Sequence, residues 1–515
     1  ACGQVAAPPT GANSLLQEGR ELEAQHRWPE AVSHYEQALR DFPEHPQLKL
    51  HKTLAQIHVD LDRRLDDVSF VKMVAGLNES QALSMYHEIG WKLHSHYVET
   101  PDWQQLTWRG TANLDVALTK SGYVSRMLPG VSPEAVTAFR NELRSDVNKR
   151  AVRNRTEAQN LVSYTSRLAQ QRLGLSPAAV ILEYCSGAVS ALDQYSAYLT
   201  SDQLDDVYNQ IEGTFVGLGV ELKAEENALR IVNVIPGGPA DKAGIQADDL
   251  IIAVDNQSTE VISTERAADM LKGEQGSTVM VRVATAGQAP RDLQIRRDHV
   301  DVPCVEDVKI VDVHSGTAYF RLTSFQKPTS RDVDEALWKL HRQGMKSLII
   351  DLRGNPGGLL LASVEVADKF LTDGRIVSTR GRSERENFNY EAHSVGTWNV
   401  PLVVLIDRDT ASASEIFAGA IRDQARGKVV GERSYGKGSV QGIFPLNIAG
   451  AGVRLTTAKF FSPSGKAISN QGVEPHLAIN ADNPYHGHGS IADPTTDPVL
   501  HAAIGAAQNL TVAHR

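Results

Sequence analysis

The stretch VPLVVLIDRDTASASEIFAGAIRDQ, residues 400–424, holds the pattern that decides the fold of the second half of the chain. A run of apolar, mostly β-branched residues comes first and predicts a buried strand. A loop of small and polar residues follows, and the next apolar residues recur at helical spacing. A strand that passes through such a loop into a helix is the repeating unit of an α/β sheet, in which ligands bind at the carboxyl ends of strands.

Residues 346–371, KSLIIDLRGNPGGLLLASVEVADKFL, repeat this strand, loop and helix. The two loops should meet at one edge of a sheet, because the carboxyl ends of parallel strands lie together. Strands and helices alternate to either side as well and predict an α/β core over residues 299–480. The sequence has no GxSxG elbow, and in GNPGG, residues 354–358, Pro356 stands where a trypsin-like protease has its serine.

Ser412 begins the helix of the first unit, directly after its strand. With Glu415 it fits the capping box S-x-x-E, in which both side chains satisfy free helix N–H groups. A serine at this edge of a sheet is also placed to act as a nucleophile, provided that a base lies nearby. The helix alone leaves both roles open.

A lysine between two glycines follows in GERSYGKGSVQ, residues 431–441. The segment is no phosphate loop, because Gly438 offers no hydroxyl for magnesium and strand-like residues follow where a helix is needed. A neutral Lys437 can take a proton from a serine, and lowering its pKa by about three units from about 10.4 costs roughly 4 kcal/mol. Small uncharged neighbours favour the neutral amine, which the amide of Gln441 can orient.

Short β runs separated by glycine, proline and aspartate fill residues 213–298, with one helical piece, STERAADMLKG. This arrangement resembles a PDZ domain. The loop of Gly217, Leu218 and Gly219 would then direct backbone N–H groups at the terminal carboxylate of a peptide that pairs with the next strand. Glycines suit this loop because the chain turns tightly there and another backbone approaches it.

The first part of the chain predicts helices. From Ser14 onwards one tetratricopeptide-like hairpin is visible in its small, aromatic and terminating residues, which are Gly19, Leu22, Ala31, Tyr35, Ala38 and Pro43. A lone repeat cannot bury its own face, so the hairpins over residues 14–68 should pack on a helical domain over residues 69–212. The sequence leaves open whether this half binds a protein partner or only packs.

Composition excludes several functional classes. The 515 residues carry a net charge of −10 without a long basic run, so a nucleic-acid partner is not expected. No apolar run is long enough for a membrane-spanning helix. Cys185 and Cys304 lie in different segments without metal-ligand motifs; they can pair in an oxidising compartment, although buried free thiols are commoner. We expect no metal and no cofactor.

Cys2 is followed by a small residue and a tether rich in proline, alanine, glycine and serine, over residues 1–13. It resembles the lipid-acceptor cysteine of bacterial lipoproteins, which predicts a lipid anchor as the only attachment to a membrane. At the other end, residues 481–515 predict a polar linker and a short final helix.

The motifs together resemble one family. TASASEIFAGAIRDQ, VVGERSYGKGSVQ and DLRGNPGG are similar to segments of the carboxyl-terminal processing proteases, serine-lysine endopeptidases with an embedded PDZ domain. The resemblance extends from about residue 186 to about residue 480 and implies a ββα, crotonase-like protease core. In that family the lysine follows the serine after 25 residues, as Lys437 follows Ser412. The N-terminal helices lie outside the common family core.

The resemblance implies a role for each matching residue. Ser412 is the nucleophile, Lys437 the general base and Gln441 the residue that orients it. Backbone N–H groups of Ala413 and Gly358 form the oxyanion hole. Two positions depart from the family: Lys272 stands where arginine is frequent, which puts coupling between peptide binding and activity in doubt, and His476 stands where aspartate is common.

The sequence therefore predicts a multidomain α/β protein with a helical N-terminal half, a PDZ domain and a protease core. The expected function is cleavage of envelope proteins at or near their C-termini in the bacterial periplasm. Substrates would be polypeptides with free or unstructured C-termini, recognised with the help of the PDZ domain. The alternative is a catalytically silent scaffold that binds peptides through its PDZ and tetratricopeptide parts.

Overall fold

The structure, a computed structural model, describes residues 10–225, 228–260, 270–479 and 495–513. Cys2, most of the helical piece STERAADMLKG and most of the linker after residue 480 lie outside the described residues. The chain forms two compact units, one of residues up to Leu204 together with Gln441–Thr457, the other of Asp205–Val440 together with the residues from Ala458 onwards.

The described helices of four or more residues have the following bounds: α1 Thr10–Ala24, α2 Trp28–Asp41, α3 Pro46–Asp66, α4 Val68–Gly76, α5 Glu79–His96, α6 Trp103–Ala117, α7 Ser121–Met127, α8 Pro133–Ser145, α9 Arg155–Leu173, α10 Pro177–Ser190, α11 Ser201–Glu212, α12 Pro239–Lys242, α13 Thr329–Arg342, α14 Leu360–Asp368, α15 Ala413–Asp423 and α16 Pro498–Ala513.

The described strands are β1 Ala197–Leu199, β2 Thr214–Gly217, β3 Val220–Glu225, β4 Ala228–Val234, β5 Leu250–Val254, β6 Gln257–Ser258, β7 Thr278–Ala284, β8 Arg291–Arg296, β9 Asp298–Asp301, β10 Val305–Asp312, β11 Thr317–Leu322, β12 Ser347–Asp351, β13 Arg375–Gly381, β14 Phe388–Glu391, β15 Leu402–Ile406, β16 Lys428–Gly431, β17 Ser439–Pro445, β18 Gly452–Phe461 and β19 Leu477–Ala478.

The first unit is helical. Its first two helices pack as a hairpin in which Gly19 lies under the ring of Tyr35, where a Cβ would collide with the ring. Around the almost fully buried α10 the other helices bury a larger core. This core also takes up residues from the start of β18, which pairs with β1 in the register Ala197↔Arg454.

The PDZ domain in the second unit has a sheet in the order β3-β4-β5-β7-β8, with β6 paired to β5. Apolar side chains of alternating strand positions, among them Ile231, Ile251 and Val281, fill its core. Among the described strands, β3 is one edge of this sheet and β8 is the other. Strands β2 and β9 form a separate antiparallel pair that connects this domain to the rest of the unit.

The protease core contains a sheet in the order β10-β11-β12-β15-β16-β19, parallel except for the antiparallel β10. One face packs on α13, α14 and α15. The other face packs on α16, which has 16 residues and is longer than the short helix that the sequence predicts. The apolar residues of α16 bury the second face of the sheet, and this packing stabilises a helix of that length.

Three sequence expectations can be compared directly with these elements. The loop of residues 407–412 separates β15 from α15, so Ser412 does not follow its strand directly. Cys185 and Cys304 are both buried and free, as the commoner of the two alternatives has it. Burial raises the pKa of the Cys304 thiol to about 12, which makes it unreactive at neutral pH. No described helix is long and apolar enough to cross a membrane.

Candidate active site

Ser412 lies immediately before α15 with a strained backbone. Its φ of 57° and ψ of −117° place it outside the regions that residues other than glycine favour. Such strain persists only where the surroundings hold the backbone in place, and it concentrates at functional sites. Here Thr410 fixes the preceding loop, because its hydroxyl donates to the Leu352 oxygen at 2.9 Å and its backbone oxygen accepts from Tyr435 at 3.0 Å. The turn therefore presents a partly buried serine at a helix start.

A single buried carboxylate connects the serine turn to the lysine loop. Glu415 is 0% exposed, and its Oε2 accepts from the backbone N–H groups of Ser412 and Lys437, each at 2.8 Å. Its Oε1 accepts from the Ser434 hydroxyl at 2.6 Å and from the Gly436 N–H at 2.7 Å. The capping box that the sequence predicts at Ser412 and Glu415 is thus present, and the same carboxylate also holds the loop that carries Lys437.

Burial raises the pKa of Glu415 above its ordinary value, and its hydrogen bonds from Ser434, Gly436, Ser412 and Lys437 oppose that shift. Four donors around one carboxylate leave no room for a carboxyl proton without losing a hydrogen bond. The ionised form is therefore the one that this arrangement holds in place.

The lysine loop is fixed from its other side by residues 469–473. Asn470 donates its N–H to the Gly436 oxygen at 2.8 Å, and Val473 donates to the Ser434 hydroxyl at 2.6 Å. At Gly438 a Cβ would collide with the backbone nitrogen of Ser469, so the glycine after the lysine permits a close approach of two backbones. The side chain of Lys437 is partly buried.

The glycine pair of GNPGG packs against the serine turn. Gly357 has a φ of +101°, and a Cβ built there would lie 2.7 Å from Ser412 Cβ and 2.8 Å from the Ala413 nitrogen. Only a glycine fits this approach. Gly358 follows with a φ of +138°, and a Cβ there would collide with the Phe325 carbonyl oxygen.

Two backbone N–H groups near Ser412 lack a hydrogen-bond acceptor within the described residues, those of Ala413 and Gly358. The neighbouring Gly357 N–H, in contrast, donates to Asn355 Oδ1 at 2.9 Å. The Ala413 N–H belongs to the first turn of α15, where N–H groups have no partner inside the helix. Both groups belong to residues that adjoin Gly357, so the geometry is suited to an anion beside the serine.

Gln441 lies on β17, and its Nε2 is 3.5 Å from Thr456 Oγ1, a distance at the limit for a hydrogen bond. The predicted carboxylate-binding loop connects β2 to β3. The Leu218 oxygen accepts from the Ala240 N–H at 2.8 Å, and the Gly219 oxygen accepts from the Ile235 N–H at 2.9 Å. Over the ranges that the structure describes, the N–H groups of Leu218 and Gly219 have no acceptor, and the open edge of β3 follows them.

The sequence analysis missed the full role of Glu415 and gave His476 none. The S-x-x-E spacing predicts that Glu415 caps the helix. It does not predict that the same carboxylate also accepts hydrogen bonds from residues 434–437. The ring Nδ1 of His476 accepts from the Val429 N–H at 3.0 Å, and the backbone N–H of His476 donates to the Val429 oxygen at 2.7 Å. His476 therefore binds the chain after the lysine loop to strand β16, and another side chain that accepts a hydrogen bond would also serve there. Lys272 is exposed.

Two family models match the chain. One, described as peptidase family S41, matches residues 316–479, and the other, described as a PDZ domain, matches residues 230–285. The PDZ match lies in the second unit. The peptidase match also lies there, except for Gln441–Thr457, which belong to the first unit. The helices before residue 213 are not covered by either match.

Individual proteins are similar over a longer stretch. A carboxy-terminal-processing protease of Bartonella bacilliformis is 36% identical over 312 residues, which cover 59% of this chain and 70% of that protein. A carboxyl-terminal-processing protease of Synechocystis is 35% identical over 267 residues, which cover 51% of this chain and 62% of that protein. Among solved structures, the photosystem II D1 C-terminal processing protease is 25% identical, with a TM-score of 0.40, over 78% of this chain and 93% of that chain.

Proposed function

Because this chain belongs to the carboxyl-terminal processing proteases of peptidase family S41, we propose that it hydrolyses peptide bonds with Ser412 as nucleophile and Lys437 as general base. One observation carries the assignment. The carboxylate of Glu415 accepts from the backbone N–H groups of both residues at 2.8 Å, so it holds together two residues that lie 25 positions apart in the sequence. A serine without a catalytic role needs only the capping half of this arrangement.

In the proposed reaction, the neutral amine of Lys437 takes the proton of the Ser412 hydroxyl as Oγ attacks the peptide carbonyl carbon. The carbonyl oxygen becomes an oxyanion, which accepts hydrogen bonds from the N–H groups of Ala413 and Gly358. When the C–N bond breaks, the protonated lysine returns the proton to the leaving amine. Water then hydrolyses the acyl-enzyme by the same steps, and Ser412 regains its proton.

Gln441 is proposed to orient the amine of Lys437. An amide carries no charge, so it can position the amine without the electrostatic attraction that would raise the lysine pKa. The free N–H groups of Ala413 and Gly358 support the oxyanion role, and the engagement of the Gly357 N–H by Asn355 supports the choice of the second glycine in the pair.

The PDZ domain is proposed to select polypeptides by their free C-termini. Support comes from the free N–H groups of Leu218 and Gly219, which lie immediately before the open edge strand β3. A terminal carboxylate would accept from the loop while the peptide backbone pairs with that strand. The names of the relatives from Bartonella bacilliformis and Synechocystis state C-terminal processing without a substrate. Polypeptides of the cell envelope are the substrates that we propose for this chain.

The proposed location is the cell envelope, with Cys2 as a lipid acceptor. If Cys2 is lipidated, the full-length protein will partition with membranes, whereas Cys2→Ser will appear in the soluble envelope fraction. Equal partitioning of the two forms would remove the anchor from the proposal without affecting the protease assignment.

The proposed activity is tested by digestion of an unfolded protein substrate with the wild type and with Ser412→Ala. We expect fragments only with the wild type. The matched control is Ser464→Ala, since the hydroxyl of this exposed serine donates to Asp423, the last residue of α15, at 2.7 Å; this variant should cleave normally. If Ser412→Ala cleaves as fast as the wild type, the nucleophile is another group. If the wild type binds the substrate without cleaving it, the chain is a peptide-binding scaffold.

A further inference from the structure

An ion triad of the buried Asp351 and Arg353 and the partly buried Asp497 joins the C-terminal helix to the glycine loop of the site. The guanidinium of Arg353 is 6% exposed and donates to Asp351 Oδ2 at 2.6 Å and to Asp497 Oδ2 at 2.7 Å. A second pair of bonds connects the same three side chains: Arg353 Nε donates to Asp351 Oδ1 at 3.0 Å and Nη1 donates to Asp497 Oδ1 at 3.1 Å. Tyr319 completes the cluster by donating to Asp351 at 2.9 Å.

Asp497 also caps the N-terminus of α16, which begins at the next residue. Its Oδ1 accepts from the N–H groups of Val499 and Leu500 at 3.0 Å each, which is the bonding of a helix N-cap. Leu500 is fully buried against the face of the sheet formed by Ile349, Val403 and neighbouring residues. The helix thus has two independent attachments: an apolar face on the sheet, and a carboxylate on Arg353.

Arg353 is the second residue after β12, in the loop that leads to the glycine pair. After it, the Gly354 N–H donates to the Asp407 carboxylate at 3.0 Å. The Asn355 oxygen accepts from the Ala411 N–H at 3.0 Å, and its Nδ2 donates to the Leu322 oxygen at 2.7 Å. The loop is therefore bonded at each of these residues, and its first anchor is the ion triad.

We propose that Asp497 is a positioning residue: through Arg353 it holds the start of the loop and so fixes where the Gly358 N–H points. This inference rests on the proposed oxyanion role of Gly358. Apolar packing alone would hold α16 on the sheet, whereas a largely buried ion triad is a poor source of stability because desolvation offsets its attraction. What paired carboxylates add around a planar guanidinium is a defined geometry.

A small displacement of an oxyanion donor slows the chemical step more than it weakens substrate binding, because the bond strengthens as charge develops in the transition state. Loss of the Asp497 charge should therefore lower kcat while KM changes little. A purely structural role would instead lower the amount of folded enzyme or its melting temperature. The split between kcat and KM thus separates the two roles.

The experiment uses the full chain and a fluorogenic peptide with a free C-terminus. Asp497→Asn keeps a good helix cap and removes the charge; we expect kcat to fall by about tenfold or more, with KM within about twofold of the wild type. Asp497→Ser, another good cap without a carboxylate, should behave alike and replaces it if the first variant does not fold. Asp497→Glu, which retains the carboxylate, should recover part of kcat.

Two controls lie on the same helix. Leu500→Ala removes apolar packing, and Gln508→Ala removes the hydrogen bond from Nε2 to Asp312 at 2.9 Å. We expect Leu500→Ala to lower the melting temperature and both controls to keep kcat per folded molecule. A wild-type kcat in Asp497→Asn, or a loss equal to that of Leu500→Ala, overturns the inference. Full activity in Ser412→Ala would instead refute the proposed function, so the two failures are distinct.

Discussion

The backbone N–H groups of Ser412 and Lys437 donate to the same oxygen atom, Oε2 of Glu415, at 2.8 Å each. The backbones of Ser412 and Lys437 are therefore fixed with respect to each other by one carboxylate, which is fully buried. A rigid frame of this kind limits the movement of a nucleophile and its base, which is what intramolecular proton transfer needs.

Glu415→Gln should lower kcat by about ten- to a hundredfold, because an amide nitrogen replaces one of two accepting oxygens and faces backbone or hydroxyl donors. The free energy of unfolding should fall by about 1–3 kcal/mol for the donors left unsatisfied. Steady-state kinetics and denaturant unfolding measure both effects. The control is Glu432→Gln in the same segment, whose carboxylate pairs at 3.0 Å with exposed Arg408 and which should retain kcat. Unchanged kinetics in Glu415→Gln would contradict the framing role.

Lys437→Arg should be as inactive as Lys437→Ala. Arginine retains a positive charge but does not deprotonate in proteins, so it cannot accept the serine proton. Both variants should lose roughly a thousandfold or more of kcat, in line with loss of a general base. The measurement is cleavage of the fluorogenic peptide, with circular dichroism to verify folding. Substantial activity in Lys437→Arg would show that the lysine serves through its charge.

Gly357→Ala should abolish most of the activity. The new Cβ would lie 2.7 Å from Ser412 Cβ, closer than atoms approach without moving, and the φ of +101° is unfavourable to alanine. The serine turn must shift, and a shift of about 1 Å costs roughly a hundredfold in rate. Gly122→Ala is the control, since its Cβ would meet nothing within 4 Å. Equal kcat values in both variants would mean that the contact does not determine the geometry of the site.

A peptide that ends in a free apolar residue should bind the Ser412→Ala protein more tightly than the same peptide with an amidated C-terminus. Amidation removes the charged acceptor for the N–H groups of Leu218 and Gly219. Calorimetry measures the two affinities. The rates at which the wild type cleaves the two peptides show whether this binding selects substrates. Equal affinities would reject the carboxylate assignment, and unequal affinities with equal cleavage would separate binding from substrate selection.

Acid should destabilise the helical unit through His58. Burial, with a further contribution from Lys120, lowers the pKa of His58 from 6.5 to about 4, and its ring stacks on Trp28 at 3.6 Å. Between these two pH values the unfolded chain binds more protons, so the free energy of unfolding falls as pH drops below 6.5. The loss at pH 5 should be about 1 kcal/mol after allowance for solvent screening.

His58→Gln should flatten this part of the pH profile, as measured by urea unfolding from pH 7 to pH 4.5. His314→Gln, at an exposed histidine, is the control and should retain the slope of the wild type. A wild-type slope in His58→Gln would assign the acid sensitivity to other groups.

The protease core and the PDZ domain were predictable because their signals are local. Runs of β-branched residues, such as those before Asp351 and Asp407, mark buried strands in any context. The glycine loops were also visible, since glycine punctuates a chain where the backbone turns or another segment approaches. Family resemblance then connected Ser412 to Lys437 through their spacing.

The tertiary contacts of the site were not predictable in the same way. From the sequence, Glu415 is predicted only to cap a helix. Its hydrogen bonds with residues 434–437 form only in the folded protein. Asp497 lies 144 residues from Arg353, and no local pattern connects the two. The length of α16 also depends on a sheet face that forms from distant strands. Each of these features arises when segments far apart in sequence meet, which periodicity and composition do not encode.

The inclusion of Gln441–Thr457 in the first unit has a consequence for synthesis of the chain. Four buried residues of that segment belong to the core of the helical unit: Leu446, Ala451, Val453 and Leu455. These residues are synthesised only after the PDZ domain and most of the protease core. The N-terminal helices therefore remain incompletely packed until a late stage of synthesis. A fragment that stops at Leu204 should expose apolar surface and aggregate.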